Sequence, residues 1–295
     1  MIAKIGSAVA FVSWIATGFA AHAADPAPLR VLADRSVGGF AFPESVGCDP
    51  AGKVLYVSQF GGTELKPADK DGNGFISKVA LDGKVIEPRA FDVKLDKPKG
   101  IWIEGARLWV TDIDAVWIFD LKTKKGRRLE LPGIKFANDP AVQKGVLYVS
   151  DNRSDQLFRV EPADFLDAAV QPRVSAAWSG KQVFPNGLWP AKDGSLLMVG
   201  FQSAEQARGI YAMKDGEVKA LSPMIGRLDG LREMDDGSIL ATDWNSGSLF
   251  QWSAAMGVVK LAPGFKGPAD FCYMDGTAYV PDLPGSQIRI IQLGR

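Results

Sequence analysis

Gly145-Val146-Leu147-Tyr148-Val149-Ser150-Asp151 reads as a tight turn leading into a β-strand. The glycine is free to take a positive φ, and the β-branched and aromatic residues after it suit a pleated, buried surface. The same pattern recurs at Gly52 (KVLYVS), Gly105 (ARLWVT), Gly194 (SLLMVG), Gly237 (SILATD) and Gly276 (TAYVPD). These six glycines lie 39 to 53 residues apart. A second short strand precedes each turn, and one or two more follow, such as Phe75-Ile-Ser-Lys-Val-Ala and Val85-Ile. A four-stranded unit repeating every ~40–45 residues is the signature of a propeller blade. The sequence therefore predicts an all-β, six-bladed β-propeller; a β-sandwich would not repeat one hairpin six times.

The sixth copy ends after Ile288-Arg-Ile-Ile-Gln-Leu, about one strand short. The N-terminal stretch Leu29-Arg-Val-Leu-Ala-Asp can supply the missing outer strand and close the ring without an exposed sheet edge. Helical periodicity is nearly absent, and only residues 162–169 suggest a short helix.

With 34 Lys+Arg against 34 Asp+Glu, the 295-residue chain carries no net charge, which argues against nucleic acid or an anionic membrane surface as partners. Residues 1–23 have the form of a secretory signal peptide: Lys4, an apolar run over 5–20, and Ala21-His22-Ala23 as the cleavage signature. That run is shorter than the ~20 residues needed to span a bilayer. The expectation is a single domain over 24–295, periplasmic or secreted, and monomeric. His22 is the only histidine, so the mature domain would have none. That excludes Ser-His-Asp and Cys-His catalysis and histidine-ligated zinc or copper. Chemistry is left to carboxylates, amides, Lys, Arg, Tyr or a metal on oxygen ligands.

In a propeller the residues entering each innermost strand share one mouth of the central channel. Here these are Glu44, Lys99, Asn138-Asp139, Asn186 and Asp229. Glu44, Asn186 and Asp229 each stand eight residues before their turn glycine, and Asn138 seven before Gly145. Asn, Asp or Glu before Gly is also simply what a turn prefers. Four such oxygen-bearing residues at equivalent positions suit a hard divalent cation, Ca²⁺ before Mg²⁺, Mn²⁺ or Zn²⁺.

The run Pro-Glu-Ser-Val-Gly-Cys-Asp-Pro-Ala-Gly-Lys-Val-Leu-Tyr-Val-Ser (43–58), with Phe136-Ala-Asn138-Asp139, Pro185-Asn186-Gly187-Leu188 and Leu228-Asp229-Gly230-Leu231, resembles the motifs of the gluconolactonase and regucalcin family. The resemblance implies a metal-dependent hydrolase of small lactones or esters. Glu44, Asn186 and Asp229 would ligate one divalent metal, Asn138 would act through water or contact the substrate, and Asp229 would double as the base. The sequence departs from the family pattern at Phe136, where an Arg often stands. Lys135, one residue further away, is the remaining candidate for holding substrate.

Three further features remain open on sequence grounds. Asp69-Lys-Asp71-Gly-Asn73-Gly matches the start of an EF-hand-type Ca²⁺ loop, but Ala80 occupies the position of the bidentate Glu. A weak second Ca²⁺ site and a merely polar hairpin loop at the rim are both open. Cys48 and Cys272 each precede a turn glycine by four residues, in the blades that meet when the ring closes; a disulfide and two buried thiols are the alternatives. Trp102, Trp109, Trp117 and Tyr148 fall on strands and suit packing between blades, whereas Trp244 can line the mouth. The competing functional reading is a non-catalytic propeller whose metal braces a binding site for a small ligand or protein.

Overall fold

The computed structural model describes residues 27–180, 182–202 and 206–295; the leader segment and His22 lie outside them. Among the described residues there is no helix, and 24 strands, β1 to β24 in chain order, form six antiparallel four-stranded sheets. Blade one shows the plan: β2 (Pro43–Asp49) innermost, then β3 (Val54–Gln59), β4 (Phe75–Ala80) and β5 (Val85–Glu87). The other innermost strands are β6 (Pro98–Glu104), β10 (Ala137–Gln143), β14 (Pro185–Pro190), β18 (Leu228–Glu233) and β22 (Cys272–Met274).

Five of the six turn glycines take the left-handed conformation that prompted their reading, with φ from 56° at Gly105 to 84° at Gly194. Blade one differs. Lys53 carries the positive φ, 50°, while the Gly52 N–H donates to Asp49 Oδ1 at 3.0 Å.

The sixth blade is completed by β1 (Arg30–Gly38), which pairs antiparallel with β24 (Gln287–Gly294) from Arg30↔Gly294 to Gly38↔Gln287. The inner rim closes as well. Val46 N–H donates to the Asp270 carbonyl at 3.2 Å, and Asp270 N–H to the Glu44 carbonyl at 3.1 Å. Cys48 and Cys272 form a disulfide with their Cα atoms 5.6 Å apart, so the first and last innermost strands are also joined covalently.

The core lies between blades. Trp109, Val116 and Ile118 of blade two interlock with Leu147, Val149 and Phe158 of blade three, all buried. Each such side chain contributes roughly 1.5–3 kcal/mol of burial. The expected helix at 162–169 does not form. Trp109 Nε1 donates to the Ala163 carbonyl at 2.9 Å, and Arg127 Nη1 donates to the carbonyls of Phe165 (2.7 Å) and Val170 (2.8 Å). Carbonyls that a helix would satisfy internally are thus bonded to the neighbouring blade.

Candidate active site at the channel mouth

A recurring backbone irregularity creates the site. Each of the first five innermost strands begins with one paired residue and then breaks register: after Pro43, Pro98, Ala137, Pro185 and Leu228. The next residue is Glu44, Lys99, Asn138, Asn186 or Asp229. Bulges of this kind re-aim side chains and are frequent beside active sites. A hydroxyl on the second strand compensates the unpaired backbone: Ser58, Ser150 and Thr242 each accept an N–H from the bulge, at 2.9 Å. In blades two, three and five the acid that ends the second strand, Asp112, Asp151 or Asp243, accepts a backbone N–H from the incoming loop. The Ser/Thr-Asp endings of the repeated strands therefore build the frame that presents the site.

A second ring of residues lies one position further along the same strands: Ser45, Gly100, Asp139, Gly187, Gly230 and, from blade six, Asp270. The glycines make room. A Cβ on Gly100 would come 2.2 Å from Asp139 Oδ1, and one on Gly230 2.9 Å from Asp270 Oδ1. In blade six the first-ring position is Ala269, so its carboxylate, Asp270, enters one layer down and accepts from Ser45 Oγ at 2.5 Å.

Glu44, Asn138, Asn186 and Asp229 converge at the mouth and are 1–5% exposed. Asn138 Nδ2 donates to Asn186 Oδ1. Trp244 Nε1 donates to Asp229 Oδ2 at 2.8 Å. Three buried oxygens from this group, Glu44 Oε2, Asn138 Oδ1 and Asp229 Oδ1, have no partner among the described residues, and neither has Asp139 Oδ1. Buried polar atoms are almost always satisfied, so such a cluster points to a missing partner.

The electrostatics agree. Burial and the neighbouring Asp270 push the Asp229 carboxyl up to about 8, against the hydrogen bond from Trp244. Burial, then Asp229, raises Glu44; burial, then Asp270 and Glu44, raises Asp139. Burial pushes Asp270 up to about 7. Lys99, fully buried, is pushed down to about 8 by desolvation, against the pull of Glu44 and Asp112. Four buried carboxyls around one buried ammonium leave room for further positive charge. Among the described residues no three His, Cys, Asp or Glu side chains are grouped to hold a metal ion, so a cation here would depend on the two amides as well.

Above these groups opens a cavity of about 590 Å³ walled by Phe60, Phe136, Phe184, Phe201 and Trp244. Trp244 stands edge-on to Phe201, ring centroids 5.6 Å apart. Lys135 is exposed and does not line the cavity; only its backbone N–H is engaged, with Asp151 Oδ2 at 2.6 Å. The cation over Phe136 comes instead from Arg153, whose Cζ is 3.7 Å from the ring centroid, with Lys99 Nζ at 4.1 Å. Spacing gave no sign of Arg153, which follows β11 (Val146–Asp151) in the connection to the next strand.

In the loop of Asp69, Asp71 and Asn73, both Asp71 oxygens are 2.7 Å from the buried Lys97 Nζ. An ammonium already occupies the position where a Ca²⁺ would need that carboxylate. Leu65 and Pro67 of the same connection line the cavity, so the loop forms part of its rim.

No protein-family profile and no curated protein sequence matches the chain. Solved structures do. A gluconolactonase from Xanthomonas campestris superposes with a TM-score of 0.64 at 14% identity, covering 92% of this chain and 96% of that one. A second protein described as a gluconolactonase gives 0.64 at 16%, covering 90% and 94%. Virginiamycin B lyase from Staphylococcus aureus gives 0.61 at 14%, covering 89% and 99%. At these identities the likeness is one of fold, and a propeller of this kind is shared by gluconolactonases and by a lyase alike.

Proposed function

We propose that the protein is an exported, metal-dependent hydrolase of small lactones and related esters. The observation that carries the reading is the set of unpartnered oxygens, Glu44 Oε2, Asn138 Oδ1 and Asp229 Oδ1, gathered under one cavity. Two carboxylates and two amides, without sulfur or imidazole, are a hard donor set that suits Ca²⁺ and, less closely, Mg²⁺ or Mn²⁺. Glu44, Asn186 and Asp229 would hold the ion, with Asn138 beside them. Bound there, it would supply Lewis-acid polarisation of the ester carbonyl.

The chain's own groups do the rest. Trp244 fixes Asp229 Oδ2, so Oδ1 is the atom that takes a proton from the attacking water. The water oxygen bonds to the carbonyl carbon, the ring C–O bond breaks, and Asp229 returns its proton to the departing alkoxide, giving a hydroxy acid. The aromatic walls exclude bulk water and strengthen these interactions.

The lyase neighbour suggests other chemistry, but its histidine-to-alanine variant is described as catalytically inactive. This chain's only histidine, His22, lies outside the described propeller. That favours hydrolysis by a carboxylate base. The Cys48–Cys272 bond accords with export, because disulfides persist in oxidising compartments.

The decisive assay is proton release from a lactone panel, with EDTA and with added Ca²⁺, Mg²⁺, Mn²⁺ or Zn²⁺. Metal-dependent turnover of any lactone is the expected result. Absence of turnover on every lactone, with metal still bound, would leave only the binding-scaffold reading.

A further inference from the structure

We propose that the substrate has a flat apolar body and carries one carboxylate, which Arg153 receives; this rests on the hydrolase reading above.

The walls argue for the apolar body. Phe60, Phe136, Phe184, Phe201 and Trp244 all face the cavity, and the Trp244 donor is already engaged by Asp229. A polyhydroxylated sugar ring would press those of its hydroxyls that meet the five rings against surfaces that offer no partner, at roughly 1–3 kcal/mol for each unsatisfied group. Gln202, the one glutamine on the lining, has its carbonyl oxygen taken by Arg208. An aromatic or fused-ring lactone instead gains offset or edge contacts with the same walls.

The charges argue for the carboxylate. The lining carries two acids, Glu44 and Asp229, both in the catalytic group, against three cations, Lys99, Arg153 and Arg227. Arg227 uses its Nε on Asn245 at 2.9 Å, and Lys99 donates to the Lys97 carbonyl at 3.1 Å. Arg153 is different. Among the described residues its guanidinium has no hydrogen bond and no ion pair, although it is stacked on Phe136. A guanidinium held by its face keeps its N–H edge for a ligand, and that fork matches a carboxylate bidentately.

The test compares kcat/KM for dihydrocoumarin, a carboxyl-substituted dihydrocoumarin and glucono-δ-lactone, in wild type, Arg153→Ala and Arg153→Lys, each checked for folding by its melting curve. Wild type should prefer the carboxylated aryl lactone to its parent by tenfold or more, and either to the sugar lactone. In Arg153→Ala the ratio of carboxylated to parent substrate should fall at least tenfold, with Arg153→Lys between. A preference for glucono-δ-lactone, or a ratio that Arg153→Ala leaves intact, overturns the inference while the hydrolase reading stands. If no lactone is turned over, the hydrolase reading fails. Equilibrium dialysis of the ring-opened aryl dicarboxylate then decides this inference: binding that Arg153→Ala weakens tenfold supports it, and equal binding to both proteins overturns it.

Discussion

Trp244 Nε1 donates to Asp229 Oδ2 at 2.8 Å and thereby leaves Oδ1 as the carboxylate oxygen without a partner among the described residues. The indole is itself held edge-on to Phe201. Trp244→Phe keeps an aromatic ring there and deletes only the donor. A hydrogen bond to a charged group is worth about 1.5–3 kcal/mol, so kcat should fall roughly 10- to 100-fold with a smaller change in KM. Steady-state kinetics at saturating metal check this; a rise in KM alone would make Trp244 a substrate contact and nothing more.

Asp229→Asn preserves an oxygen of nearly the same shape, still able to accept from Trp244, but removes the proton acceptor. Loss of a general base costs typically 10²–10⁴-fold in kcat. Part of any loss could come through weaker metal binding, so the assay needs saturating metal. Turnover that survives the substitution would exclude Asp229 as the base.

Metal binding should also register in stability. A ligand bound only by the folded state contributes RT ln(1 + [L]/Kd), about 2.7 kcal/mol at a hundredfold excess over Kd. Calcium should raise the melting temperature and EDTA lower it, and Glu44→Gln should blunt both shifts. A melting curve insensitive to verified metal removal would count against an ion joining blades one, four and five.

How far the sequence could be read follows from what each residue needs. The turn glycines were legible because a positive φ is a local demand, met within the hairpin; even the blade-one departure moves it only from Gly52 to Lys53. Glu44, Asn138, Asn186 and Asp229 were legible because the register break recurs at one distance, within a residue, from the turn. Asp270 was not, because it lies six residues before Gly276 and one layer below the mouth. Arg153 escaped for a different reason: it reaches Phe136 across the cavity wall, and no spacing rule links a hairpin connection to a ring 17 positions earlier. The absent helix at 162–169 shows the same limit, since Trp109 and Arg127 on another blade claim its carbonyls.

Ring closure offers a separate test. Cys48 and Cys272 are 224 residues apart in sequence, and cross-linking so long a loop restricts the unfolded chain strongly. Removing a native disulfide typically costs about 2–5 kcal/mol. For a chain of this size that corresponds to a melting temperature lower by roughly 5–15 °C. Cys48→Ser combined with Cys272→Ser, or reduction under native conditions, should show the drop. An unchanged melting temperature would mean that β1–β24 pairing and the Ser45–Asp270 contact close the ring unaided.

Asp71 and Lys97 tie the rim loop to the site, and their pair responds to pH in a defined direction. Lys97 Nζ, with a side chain 1% exposed, also donates to the Phe60 carbonyl at 3.2 Å. Burial opposes ionisation of Asp71, but hydrogen bonds from Lys97 and Asn73 outweigh it and hold the carboxyl below its ordinary value. A carboxylate lowered by folding contributes stability that is present above the unfolded-state pKa, near 3.9, and is lost as pH falls through the folded value. Asp71→Asn strands a buried ammonium and should cost about 1–3 kcal/mol at neutral pH. Lys97→Met removes the charge that needed a partner and should cost less. The advantage of wild type over Asp71→Asn should begin to shrink as pH drops below about 3.9 and go on shrinking through the folded value, and a difference that does not change with pH in that range would show that charge is not what Asp71 contributes. Because Leu65 and Pro67 ride on the same connection, Asp71→Asn should also raise KM, whereas a loop that only caps the blade would leave KM where it was.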